Sequence, residues 1–337
     1  MAVFFAYNFD VNPDGLTTNF RRQFPTQAAG GAIISTVGGV KCTNDLVDWK
    51  RTTDITTFPA ANNDFVIICY RWRASAATLN QPMLRLRNGG TVQLQITANG
   101  TGAFDIAFNG STQSTGNGSY AADTWYDVKV KFVCHASAGS VDFYLDNTEI
   151  YSVSGVDTAN GSVDIENIWP GNNSVNQFIA DIIMADDSGS IFNDIDFTKT
   201  YRVASILPNG AGNATDWTPS AGANYENVDE AELDTTNYNS SDTDTEKDTF
   251  ALQDLGISFV DILGLQSWAV VDMDDATARQ LNSVIRHSAT EGASADRSIV
   301  NGQVRNVHGF FETNPSTGLA WTESEINAAE AGYELSK

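Results

Sequence analysis

Two alternating segments decide the fold of this chain: WYDVKVKF at residues 125–132 and SVDFYLDN at residues 140–147. Apolar and polar residues alternate in both, which is the period of a β-strand with one buried face. The segment FVIICYRWR at residues 65–73 is largely apolar on both faces, as a central strand would be. Turn sequences such as Asn88-Gly89-Gly90 and Asn109-Gly110 recur at short intervals between such segments. The pattern predicts an all-β protein built as an antiparallel sandwich.

A chain of 337 residues exceeds the usual size of one domain, so we expect two domains. The first, at residues 1–200, carries the alternating segments. The second, at residues 201–337, is more acidic and also β-rich, and its polar residues 208–248 are predicted to form a solvated loop or an edge. Near its end a capping box at residues 322–325 predicts a short C-terminal helix that stops at Gly332.

The composition limits the classes of partner. The formal net charge is −23, from 42 acidic and 19 basic side chains. Such a field repels phosphate groups, so we expect no nucleic-acid partner. The chain lacks an apolar run of about 18 residues, so we expect no membrane insertion. Its first residues lack the basic and apolar regions of a signal peptide, so synthesis in the cytoplasm is expected.

Several blocks of the sequence together resemble one family. The two segments at residues 125–147 are similar to the signature hairpin of laminin-G/concanavalin-A-like jelly rolls, and five further blocks extend the similarity. These blocks lie at residues 181–189, 201–210, 216–220, 224–230 and 314–322. The blocks after residue 200 resemble those that follow such jelly rolls in structural proteins of tailed bacteriophages.

The resemblance implies a phage virion structural protein on the particle surface. Its lectin-like domain would contact the host surface, and we expect it in the tail tip or tail fibre. A capsid decoration or cement protein that stabilises the head shell is the alternative. In either case the resemblance implies other virion proteins as partners, a homo-oligomer, and a surface glycan of the host as a further ligand.

The class of jelly rolls includes glucanases, so catalysis has to be weighed. The retaining mechanism needs two carboxylates about 5 Å apart, which those enzymes carry in a Glu-x-Asp-x-x-Glu strand motif. The sequence has no such motif, and the nearest approach, Asp164-Ile165-Glu166, lacks the third acid. It also lacks a Gly-x-Ser-x-Gly elbow and a His-Glu-x-x-His motif. We therefore expect no enzyme, with a carbohydrate-active enzyme as the minor alternative.

Four arginines stand out in so acidic a chain: Arg71, Arg73, Arg85 and Arg87. If their segments are strands, the period of two places each pair on one face, and a hairpin could bring the two pairs together. Acids within the chain could neutralise them. Alternatively, they could bind an acidic subunit or an anionic glycan, because the guanidinium fork binds carboxylates through two hydrogen bonds.

Exposed aromatic side chains often form the sugar-binding platforms of lectins. Trp169 and Trp217 lie beside turn residues, which favours a position on loops. Burial in a core is the alternative for each of them.

Calcium is the one cofactor that the sequence suggests. Carboxylate and amide oxygens cluster at Asp186, Asp187, Asn193, Asp194 and Asp196, and Ca²⁺ takes six to eight oxygen ligands. The spacing is not that of an EF-hand, so a solvated acidic loop is the alternative. The three cysteines, Cys42, Cys69 and Cys134, have no metal-binding spacing and are expected to be buried thiols.

Overall fold

The computed structural model divides the chain into two compact units: Val203 is the last residue of the first, and Ala204–Lys337 makes up the main part of the second. The structure describes residues 3–7, 34–37, 40–43, 49–50, 65–161, 165, 167–170, 176–185, 195–230, 236–256, 258–259, 261–275, 277–299, 301 and 305–336.

The first unit is built from short strands, as the alternating pattern predicts. In chain order the strands are β1 (Val3–Tyr7), β2 (Ile34–Val37), β3 (Val40–Thr43), β4 (Trp49–Lys50), β5 (Phe65–Ala74), β6 (Gln81–Asn88), β7 (Thr91–Ala98), β8 (Phe104–Phe108), β9 (Ser111–Asn117), β10 (Trp125–Val133), β11 (Gly139–Leu145), β12 (Thr148–Val156), β13 (Asn167–Pro170) and β14 (Gln177–Ala185).

These strands form two antiparallel sheets. The eight-stranded sheet has the order β12-β11-β10-β5-β14-β3-β2, and β1 also pairs with β14. The six-stranded sheet has the order β4-β13-β6-β7-β8-β9. Their apolar faces meet, since the ring of Phe104 on β8 lies 5.2 Å from that of Phe143 on β11 and 5.9 Å from that of Trp72 on β5. The predicted antiparallel sandwich is therefore confirmed.

Two of the three cysteines belong to this core. Cys69 and Cys134 are buried thiols, as predicted. Burial raises the pKa of the Cys69 thiol to about 12, which keeps it protonated and unreactive. The side chain of Cys42 lies outside the described residues.

The second unit is also mostly β. Its strands are β15 (Pro208–Thr215), β16 (Thr218–Pro219), β17 (Asn239–Ser240), β18 (Lys247–Leu252), β19 (Leu265–Val271), β20 (Arg279–His287), β21 (Thr290–Ala293), β22 (Arg297–Ile299), β23 (Arg305–Phe311) and β24 (Ala329–Leu335). A 3-10 helix spans Asn224–Asn227, and helix α1 spans Glu323–Ile326.

The main sheet of this unit has the order β15-β18-β24-β20-β21, with β22 also paired to β20. Two small sheets, β16-β17 and β19-β23, accompany it. Two apolar clusters support them, one around Phe250 and Tyr333 and the other around Trp321 and Phe311. Among the described residues, none of the helices is both long and apolar enough to cross a membrane.

The C-terminal helix starts as predicted but ends early. Thr322 caps α1, and Glu325 closes the capping box. The predicted stop at Gly332 is wrong, because α1 is a single turn and β24 lies between β18 and β20 in the main sheet. Gly332 is needed in that strand, since a Cβ atom there would lie 1.9 Å from the carbonyl oxygen of Asp248. Pairing with two neighbours outweighs the helical preference of this alanine-rich segment.

The polar stretch at residues 208–248 contains more structure than a loop. Its first strand, β15, is an edge strand, in agreement with one of the two predicted alternatives. Further along, the buried carboxylate of Asp248 accepts hydrogen bonds from Asn224 Nδ2 at 2.7 Å and from the backbone nitrogen of Trp217 at 3.0 Å. Residues of the blocks at 216–220 and 224–230 are thus tied to the core of the second unit.

Candidate functional site

The four arginines lie on two different sheets of the sandwich. Arg71 and Arg73 belong to β5, which pairs with β10 and β14, whereas Arg85 and Arg87 belong to β6, which pairs with β13 and β7. The expectation that a hairpin brings the two pairs together is wrong, because the chain crosses from one sheet to the other between β5 and β6.

Two acids of the first unit pair with Arg71 and Arg73: Asp181 on β14 and Asp123 in the turn before β10. Trp72, which lies between the two arginines in sequence, is fully buried, so the arginines extend from the outer face of the eight-stranded sheet. Arg73 Nη2 lies 2.6 Å from Asp123 Oδ1, and Arg71 Nη1 lies 3.7 Å from Asp181 Oδ2. These contacts agree with the reading in which acids within the chain pair with the arginines.

Arg85 has different surroundings on the outer face of the six-stranded sheet. Its neighbours Leu84 and Leu86 are fully buried, which directs Arg85 away from the core. Arg85 Nε donates to Gln95 Oε1 at 2.8 Å, and Gln95 Nε2 donates to Thr97 Oγ1 at 3.0 Å. Because Nε makes this contact, Gln95 holds the guanidinium in place, and its two terminal nitrogens make no hydrogen bond to any residue that the structure describes.

The charge of Arg85 is not matched by an acid in the part of the chain that the structure describes, where the ion pairs of the first unit involve other basic residues. Burial, together with the like charge of Arg87 beside it, lowers the pKa of Arg85. Arg87 Nη2 donates to the carbonyl oxygen of Gly90 at 2.9 Å. Asp105, which lies on β8 of the same sheet, accepts hydrogen bonds from Asn99 Nδ2 and the backbone of Gly116. A partly desolvated guanidinium of this kind favours an external anion.

The two tryptophans occupy unlike positions. Trp169 stands opposite Arg85 in the register of β13 and β6, at the edge of the same polar group, and its side chain lies outside the described residues. Trp217 is half-buried in the second unit, where its ring lies 4.7 Å from that of Tyr333. Its Nε1 donates to the carbonyl oxygen of Glu246 at 3.1 Å, so Trp217 packs within the fold.

The predicted calcium cluster is described at one position only. Asp186, Asp187, Asn193 and Asp194 lie outside the described residues. Asp196 Oδ1 accepts hydrogen bonds from the hydroxyl and the backbone nitrogen of Thr198, which lower the pKa of its carboxyl. Within the described ranges, histidine, cysteine and acidic side chains form no group of three that could hold a metal ion. Calcium binding at residues 186–196 therefore stays a prediction.

Sequence reasoning missed the partners of Arg85. Gln95 and Thr97 entered the pattern only as polar positions of an alternating strand. Their significance depends on register, because the pairing of β6 with β7 sets Gln95 directly opposite Arg85. The turn at Asn88-Gly89-Gly90 predicts the hairpin of β6 and β7. The register shifts within this hairpin, so counting residues from the turn does not identify Gln95 as the residue opposite Arg85.

The chain matches no protein-family model and no curated protein. Solved structures with similar sandwiches include a sialidase (12% identity, TM-score 0.33, covering 47% of this chain and 16% of that chain). They also include an alginate lyase in complex with alginate trisaccharide (11% identity, TM-score 0.35, covering 54% and 97%). A third is the catalytic domain of a GH131 β-glucanase from Podospora anserina (11% identity, TM-score 0.35, covering 58% and 100%).

At such identities the similarity concerns the β-sandwich fold alone. The chain spans about a sixth of the sialidase, so the likeness there is to one part of a longer protein. The expectation that this chain is not an enzyme is nevertheless wrong as argued. The solved structures that the chain matches include a lyase and a glucanase catalytic domain.

Proposed function

We propose that this chain is a surface component of a phage particle and that its first unit binds an acidic polysaccharide of the host surface. The binding face is the outer face of the six-stranded sheet around Arg85, Gln95 and Thr97. This group, with the backbone position of Trp169 beside it, is called the Arg85 face below.

One observation carries the binding proposal: Arg85 is held by Gln95, and no acid among the described residues neutralises it. Other arginines of the same unit pair with acids, among them Arg71, Arg73 and Arg202. The carboxylate of a uronic or sialic acid would take two hydrogen bonds from the terminal nitrogens of Arg85. The amide of Gln95 and the hydroxyl of Thr97 are groups that hydrogen-bond sugar hydroxyls.

The phage location is supported by the resemblance of the blocks after residue 200 to virion proteins. Two of those blocks pack against the core of the second unit through Trp217, Tyr225 and Val228. The resemblance therefore supports a second unit like that of virion structural proteins. It does not distinguish a position on the tail from one on the head shell. We propose the tail, because a sugar-binding face serves attachment there.

Isothermal titration of the full chain with polygalacturonate and with neutral dextran tests the binding proposal. We expect binding of the acidic polymer only, and a strong decrease with added salt, since the contact is ionic. The Arg85→Gln variant removes charge-assisted hydrogen bonds worth about 1.5–3 kcal/mol each. Its affinity should therefore fall by about tenfold or more.

Lys199→Gln is the matched control, because Lys199 is an exposed cation of the same unit whose neighbour Thr200 contacts Asp127 on β10, in the other sheet. It should bind as the wild type does. Equal affinity of Arg85→Gln and wild type would refute the Arg85 face. Size-exclusion chromatography of the same samples measures the length of the polygalacturonate and shows whether the Arg85 face also cleaves its ligand.

Antibody labelling of particles in electron micrographs tests the location. Label at the tail tip is expected. Label spread over the head shell would support a decoration protein instead and would refute the tail assignment.

A further inference from the structure

Lys129 is buried beneath a segment at the end of the first unit. It lies on β10, on the outer face of the eight-stranded sheet, and its side chain is 1% exposed. Nζ donates to the carbonyl oxygen of Phe197 at 3.0 Å and lies 6.0 Å from the ring of Tyr201. The ring of Phe197 in turn packs 5.1 Å from that of Tyr144. Lysine is almost never fully buried without a specific partner.

That partner is the amide of Asn147. Asp146 and Asn147, both at positive φ, form the turn that joins β11 to β12. Nζ of Lys129 donates a hydrogen bond to Oδ1 of Asn147. The side-chain nitrogen of Lys129 is thereby held against the carbonyl group of a carboxamide.

The nitrogen of the same amide contacts a hydroxyl group that is hydrogen-bonded to a carboxylate. Asn147 Nδ2 donates to Thr200 Oγ1 at 3.2 Å, and Thr200 Oγ1 donates to Asp127 Oδ2 at 3.2 Å. Asp127 is held in place by Arg202, whose Nη1 lies 2.8 Å from Asp127 Oδ1. The amide thus has a buried amine at its carbonyl and a hydroxyl–carboxylate pair at its nitrogen.

Electrostatics favour the reactive form of the amine. Burial lowers the pKa of Lys129, while Cys69 and the carboxylates of Asp127, Asp146 and Asp196 act in the opposite direction and only partly offset it. A larger fraction of neutral amine, with its free lone pair, is therefore present than in an exposed lysine.

We propose that Lys129 and Asn147 are joined by an intramolecular isopeptide bond that the folded chain forms by itself. Nζ attacks Cγ of Asn147, so that the Nζ–Cγ bond forms and the Cγ–Nδ2 bond breaks. The proton released by Nζ ends on the departing nitrogen, which leaves as ammonia. Nothing is oxidised or reduced, and no cofactor is required. Thr200, which contacts the leaving nitrogen, is a catalytic residue, and Asp127 is a positioning residue that acts through it.

The bond would fasten the edge of the eight-stranded sheet. β12 is the edge strand and β11 its neighbour, and the turn between them would be tied covalently to β10. Peeling of the edge would then require a covalent bond to break. This inference is independent of the Arg85 face and of the phage assignment.

Intact-mass spectrometry of the wild-type chain tests the proposal without any variant. The expected mass is that of the sequence less one ammonia. After proteolysis we expect a branched species that joins the peptide carrying Lys129 to the peptide carrying Asn147. A mass equal to that of the unmodified sequence would overturn the proposal. So would a loss of ammonia that maps to a succinimide at an Asn-Gly sequence.

Variants assign the reacting atoms. Lys129→Arg and Asn147→Ala should both restore the full mass, whereas Lys131→Arg, two residues along the same strand, should keep the loss of ammonia. Asp127→Asn should slow the appearance of the branched peptide in freshly refolded protein while the circular dichroism spectrum stays that of the wild type. An unchanged rate in Asp127→Asn would remove Asp127 from its positioning role, and ammonia loss in Lys129→Arg would refute the bond.

Discussion

Acidification should destabilise the second unit through His308. This side chain lies on β23, and its ring is 5.6 Å from that of Trp268 on β19. Burial, and secondarily the charge of Arg297, lowers the pKa of His308 from 6.5 to about 4. Between these two values the unfolded chain carries a proton on His308 and the folded chain does not. Stability is therefore intact above the unfolded value and is lost as the pH falls towards the folded one.

The size of the effect follows from the gap between the two pKa values. A gap of about 2.5 units corresponds to about 3 kcal/mol, at roughly 1.4 kcal/mol per unit. The loss is complete near the folded pKa, and below it the contribution is constant because both states are protonated. A change of this size is a large fraction of the stability of a typical domain.

Urea denaturation at neutral pH and at about pH 4, followed by tryptophan fluorescence, measures the effect. Acidic side chains also titrate in this pH range, so the wild type is compared with His308→Gln. Glutamine keeps a polar side chain at this position but cannot take up the proton. The variant should lose about 3 kcal/mol less than the wild type on acidification. Equal losses in the two proteins would show that His308 is not buried as described.

Three further substitutions test the packing of the two units. Phe104→Ala should cost about 3–5 kcal/mol in urea denaturation, because its fully buried ring contacts both sheets of the sandwich; a cost below about 1 kcal/mol would contradict that position. Gly332→Ala should abolish the near-UV circular dichroism of the second unit, since its Cβ would meet backbone at 1.9 Å, whereas Gly90→Ala, which meets open space, should leave the first unit's signal unchanged. Thr322→Ala should lower stability by about 1 kcal/mol through loss of the helix cap, and an unchanged thermal midpoint would argue against the capping box.

The sandwich was predictable because alternation and turn chemistry are local properties. The hairpin at Asp146 and Asn147 is a turn of this kind, and the cap at Thr322 is readable from two residues. Strand β24 was not predictable in the same way, because its conformation is fixed by pairing on both sides with β18 and β20, which are distant in sequence.

The candidate sites show the same division. The four arginines could be singled out by charge, but only the assignment of β5 and β6 to different sheets separates Arg85 from the neutralised pair. Lys129 looked like one polar position of an alternating strand. Its contact with the carbonyl oxygen of Phe197 depends on the segment at residues 195–203 folding back over the sheet, and no local pattern encodes that.

The central claim is that the Arg85 face binds the carboxylates of an acidic polysaccharide. A crystal structure of the full chain with a short oligogalacturonate tests it most directly. The account predicts a carboxylate held by the two terminal nitrogens of Arg85, with the sugar hydroxyls against Gln95 and Thr97. An oligosaccharide bound elsewhere on the chain, with Arg85 still facing solvent, would contradict it.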